Sequence, residues 1–159
     1  MQLAGTRFSE TSVIAVNYVI TFPDYPAEIR ASAGTLAGVS SFDLSFSSNE
    51  IFITEDSLGV LVAMNPAALK ANLSDLKKGG ILIVNSDNFA ENDLRKAEYS
   101  ENLLETGELS DFHVVQIPIT KLTLKAVEEK GLSHLDGSHN KNFFALGVVD
   151  WLFVRSLKQ

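Results

Sequence analysis

The chain has 159 residues, no cysteine and a formal net charge of −7, from 13 Lys and Arg against 20 Asp and Glu. That acidity argues against a nucleic-acid binder, which needs a basic stripe to displace phosphate counterions, and against docking on an anionic membrane. The missing cysteine excludes disulfides, thiolate catalysis and cysteine-held zinc or iron–sulfur centres within this chain.

In chain order, residues 3–18 space Leu3, Phe8, Val13 and Ile14, with Val19 just beyond, among small and polar residues at a roughly helical interval, which predicts a helix. It begins without a capping residue, as if a preceding strand and loop were missing. An extended piece follows near Tyr18–Thr21. Phe22–Ser40 then packs Pro23, Pro26, Gly34 and Gly38 around Glu28 and Arg30 between apolar runs. A loop this specified holds a fixed backbone shape against a ligand, a partner or a neighbouring domain. Leu36–Ser48 alternates as a half-buried strand, paired with Glu50–Thr54 through the Ser47-Ser48-Asn49 turn.

Val60–Met64 is a continuous apolar run, the pattern of a strand covered on both faces. Asn65 caps a helix and Pro66 suits its first position; Leu69, Leu73 and Leu76 form one face, and Gly79-Gly80 ends it. Lys77 and Lys78 then complement the dipole at that helix end. Ile81–Val84 is a second buried strand, closed by Asn85-Ser86-Asp87. Residues 88–112 are polar and irregular, with a short helix at Glu91–Ala97. Val114–Ile119 is a third strand, opened by a structural His113. Thr120 caps a helix over Lys121–Lys130 whose inner face is Leu122, Leu124 and Val127. His134, Asp136 and His139 fall in a solvated loop turned by Gly137, with no metal-binding spacing. The last helix spans Asn140–Ser156, with Phe143 and Phe144 as core. This strand–helix alternation predicts an α/β fold, a three-layer α/β/α sandwich with a mixed, largely parallel sheet.

The most apolar runs, near Val13–Val19 and Phe143–Val154, are shorter than the roughly 20 residues a membrane helix needs or carry Asp150. The N-terminus lacks the basic start and apolar core of a secretory leader. A cytoplasmic protein is the expectation.

Four ordered stretches carry a family resemblance: Pro26–Arg30, Val62–Leu69, Leu76–Ile83 and Lys141–Gly147. They resemble the gamma domain of 2-oxoacid:ferredoxin oxidoreductases, over nearly the whole chain. The likeness is greatest to the form fused at the N-terminus of the alpha subunit in 2-oxoglutarate:ferredoxin oxidoreductase-like enzymes. It implies the domain III-like α/β fold of pyruvate:ferredoxin oxidoreductase. It also implies participation in a thiamine-diphosphate- and CoA-dependent oxidative decarboxylation that passes electrons through iron–sulfur centres to ferredoxin. In that family thiamine diphosphate, magnesium and the clusters lie on other domains or subunits. The gamma domain contributes to assembly and to the CoA side of the site. The partners implied are the thiamine-site domain, the beta subunit and ferredoxin.

Against that pattern, residues 1–159 read as a single gamma domain. They lack the family's N-terminal strand and glycine-rich turn, and stop before its thiamine-site domain. The lost turn removes backbone amides suited to a phosphate, and a lost strand leaves an edge for substitute pairing or a homodimer of the isolated chain.

No catalytic residue and no metal ligand is expected here, since the chain has no nucleophile elbow, Ser/His/Asp order or P-loop. The candidates are interface or ligand-facing residues. Glu28 and Arg30 stand two apart in an extended segment, and so on one side, as a clamp or a solvated pair. Gly34 shapes the backbone or admits a ligand. Asn65 and Asp87 follow buried strands, where α/β sheets bind ligands, although simple capping explains Asn65 as well. Asn142 lies in the last family-like stretch. The alternative function is a stand-alone small-ligand-binding α/β module without activity.

Overall fold

The computed structural model describes residues 18–23, 42–47, 57–131 and 133–156. The described residues fall into two compact units. One holds 18–23, 42–47 and the chain from Thr123 onward; the other runs from 57 to Leu122.

The second unit is built on three parallel strands in the order β3-β4-β5: β3 (Leu58–Ala63), β4 (Leu76–Asn85) and β5 (His113–Ile117). β4 is central, with Leu82, Ile83 and Val84 almost wholly buried. Register places Leu61 beside Leu82 and Val114, and Ala63 beside Val84. Because side chains alternate along a strand, this set shares one face. The helices α1 (Pro66–Asn72), α2 (Glu91–Lys96) and α3 (Leu103–Thr106) belong to the same unit. Leu69, Phe89, Leu94, Leu103 and Leu109 complete one hydrophobic core with that face. α4 (Ile119–Glu128) follows β5 directly.

In the first unit β1 (Tyr18–Pro23) and β2 (Phe42–Ser47) form an antiparallel ribbon, with Tyr18 opposite Ser47 and Pro23 opposite Phe42. The pairing expected between β2 and Glu50–Thr54, and the helix expected over residues 3–18, lie outside the described residues. The long helix α5 (His134–Ser156) also belongs to this unit.

The α/β class and the parallel sheet agree with the sequence pattern, and several local expectations are corrected. The first helix stops at Asn72, so Leu76 is a strand residue. Gly79-Gly80 does not end a helix; it forms a bulge. Leu58 pairs with Leu76 while Val60 pairs with Ile81, so β4 carries extra residues opposite β3. Gly79 takes φ +74, and a Cβ on Gly80 would lie 2.7 Å from Leu76 Cδ1 and 2.8 Å from the Lys77 carbonyl oxygen. Gly80 has no room for a side chain, and the positive φ of Gly79 favours glycine. Lys77 and Lys78 therefore serve a strand rather than a helix end. Lys78 Nζ pairs with Asp111 Oδ2 at 2.9 Å, and the Gly79 N–H donates to the Asp111 carbonyl at 2.8 Å.

In α4 Ile119 and Thr123 are buried and Leu124 and Val127 half-buried, whereas Leu122, expected on the inner face, is 39% exposed. α5 begins six residues before Asn140 and takes in Gly137, which packs instead of turning. A Cβ there would lie 2.7 Å from Leu124 Cδ2. His134, Asp136 and His139 thus fall on a helix rather than in a loop. The aromatic pair divides: Phe144 is half-buried and Phe143 is 40% exposed.

Glu98 stands in the left-handed region at φ 60. It follows the C-terminus of α2, where Glu98 N–H donates to the Arg95 carbonyl and Tyr99 N–H to that of Leu94, both at 3.0 Å. That pair of bonds is a Schellman closure, which normally takes glycine at this place. Lys70 of α1 compensates. Its Nζ donates to the Ala97 carbonyl at 2.9 Å and to Glu98 Oε2 at 3.1 Å, and lies 5.5 Å from the Tyr99 ring centroid.

Candidate functional site

The C-terminal edge of the parallel sheet is where ligands bind in open α/β folds, and two of the candidate residues stand there. Asn65 follows β3 in extended conformation, and its Oδ1 accepts the Ala68 N–H at 2.7 Å. With Pro66 at the first helical position, this is the predicted cap of α1. Asp87 sits just past β4 in the 86–88 turn.

That turn is tied in three directions. Asn88 Nδ2 donates to the Met64 carbonyl at 3.0 Å, drawing the turn against the residue before Asn65. Asn85, fully buried, donates through Nδ2 to Thr120 Oγ1 at 2.9 Å and accepts the Thr120 N–H through Oδ1 at 3.3 Å. Asp87 Oδ2 accepts the Lys121 N–H at 2.8 Å. Pro118, just before α4, has no side-chain acceptor, so acceptors 34 and 35 residues away in sequence cap this helix. Thr120, predicted to cap α4, is instead a helical residue whose hydroxyl and N–H both meet Asn85.

The electrostatics follow from that arrangement. A carboxylate is favourable at a helix N-terminus, and Asp87 supplies one from the chain itself. Away from this edge, the hydrogen bond and charge of Asp111 hold the Lys78 ammonium above its ordinary pKa, and burial followed by the Glu108 charge raises the Tyr99 phenol. Among the described residues no three His, Asp or Glu side chains gather in a way that could hold a metal ion, and no buried side-chain nitrogen or oxygen lacks a hydrogen-bond partner.

The structure thus brings Asn65 and Asp87 to one edge and engages both in capping. Asn142 is half-buried on α5, in the other unit. Glu28, Arg30 and Gly34 lie outside the described residues. Asn88 was not singled out in the sequence, although its signal is there: four short polar residues, Asn85 to Asn88, follow an apolar strand.

The model of the pyruvate ferredoxin/flavodoxin oxidoreductase family matches residues 1–154. The chain belongs to this family. It is 52% identical over 158 residues to the 2-oxoglutarate oxidoreductase subunit KorA of Mycobacterium tuberculosis, a match covering 99% of this chain and 24% of that relative. The chain therefore spans about a quarter of the length of the curated relative it matches. Its fold is similar to that of the gamma subunit of a keto/oxoacid ferredoxin oxidoreductase from Geobacter sulfurreducens, with a TM-score of 0.60 at 20% identity, covering 95% of this chain and 69% of that one. At that identity the likeness speaks for the fold. For this family member, no described helix is long and apolar enough to cross a membrane.

Proposed function

We propose that the chain acts as the gamma domain of a 2-oxoacid:ferredoxin oxidoreductase, with 2-oxoglutarate as the substrate of the whole enzyme. The observation that carries this reading is the 52% identity to a KorA subunit along almost the entire chain. The domain is a docking and shaping module: it supports assembly and frames the CoA side of the site in the cytoplasm. The closed polar edge at Asn85 and Asp87 favours this over a stand-alone ligand-binding module, since its donors and acceptors are engaged internally.

The cofactors of such an enzyme are placed on its other parts. This chain has no cysteine for an iron–sulfur cluster, and its described carboxylates do not converge on a cation. Thiamine diphosphate, magnesium and the clusters are assigned to the thiamine-site domain and the beta subunit, with ferredoxin as electron acceptor. Glu28 and Arg30 are assigned to the contact with those neighbours, with Gly34 shaping their loop and Asn65, Asp87 and Asn142 in support.

The test is a chimera in which this chain replaces the matching part of the KorA relative, expressed with its beta subunit. The expected result is an assembled enzyme that reduces ferredoxin with 2-oxoglutarate only when CoA is present. Arg30→Ala is expected to weaken assembly or CoA-dependent turnover. Binding of thiamine diphosphate by the isolated chain in calorimetry would overturn the docking assignment.

A further inference from the structure

We draw no further inference here: the strongest candidate, the outer stripe of α5 at Phe143, Gly147 and Trp151, carries nothing, because nothing in the structure shows what covers it.

Discussion

The C-terminal edge of the β3-β4-β5 sheet and the outer stripe of α5 are opposites in how they use their side chains. At the sheet edge Asn65, Asn85, Asp87 and Asn88 each find a partner in the same unit. Along α5 the exposed line offers two aromatic rings and a glycine with empty space above it. The first region ties its own polar groups together, and the second presents apolar side chains.

The sharpest way to break this comparison is to truncate one residue from each region and measure urea unfolding. Leu82→Ala removes a side chain with no solvent exposure from the central strand, and is expected to cost about 2–5 kcal/mol. Phe143→Ser is expected to cost less than about 1 kcal/mol in the isolated chain, as a largely surface change. Equal losses would show that the stripe is part of this chain's own core.

Next in size is Asn85→Ala. It leaves the half-buried Thr120 N–H without its acceptor and the Thr120 hydroxyl without its donor, at an expected cost of about 1–3 kcal/mol. Amide exchange in the first turn of α4 should accelerate with it. Unchanged protection there would mean that the polar edge is not what holds the helix start.

A smaller effect of opposite sign is expected from Glu98→Gly. A non-glycine residue in the left-handed region costs roughly 1–2 kcal/mol, while the exposed ion pair with Lys70 returns only about 0.2–1 kcal/mol. The net expectation is a slight stabilisation, read as a higher urea midpoint with an unchanged slope. A lower midpoint would show that the Lys70 contact outweighs the backbone strain.

The smallest expected effect is alkaline. Lys78 and Tyr99 both have pKa values raised in the folded state, Lys78 by Asp111 and Tyr99 by burial and then Glu108. A raised folded pKa gives stability that is fully present below the unfolded value and is lost as pH rises through the folded one. The unfolding midpoint should therefore hold between pH 7 and 9 and decline above the ordinary values of 10.0 for Tyr99 and 10.5 for Lys78. Tyr99→Phe should flatten part of that decline. A decline identical in the variant would assign it to other groups.

Much of the second unit was legible because its signals are local. Apolar runs at Val60 and Ile81 mark buried strands, and Asn65-Pro66 announces a helix within two residues. What was not legible depends on contacts distant in sequence. Gly79-Gly80 looks the same as a helix stop or a strand bulge until β3 lies beside it. Thr120 looks like a cap until Asn85 arrives from 35 residues away. Gly137 looks like a turn until Leu124 occupies the space where its Cβ would be. The capping at Asn65 was predicted from its neighbours alone, whereas the engagement of Asp87 with α4 depends on the strand order. The loop carrying Glu28, Arg30 and Gly34 was singled out by composition and family likeness alone, and it lies outside the described residues.

The buried amide of Asn85 has one more consequence, for how the chain avoids a misaligned sheet. Asn85 is paired in register with Ile117, and Thr120 follows only three residues later. Were β5 to add to β4 one position out of step, Thr120 would shift by about 3.3 Å along the strand direction. Both amide bonds would then be out of reach, and Val114 and Val115 would exchange faces. One asparagine thus inspects the alignment of a strand that it does not belong to, and penalises the wrong one twice.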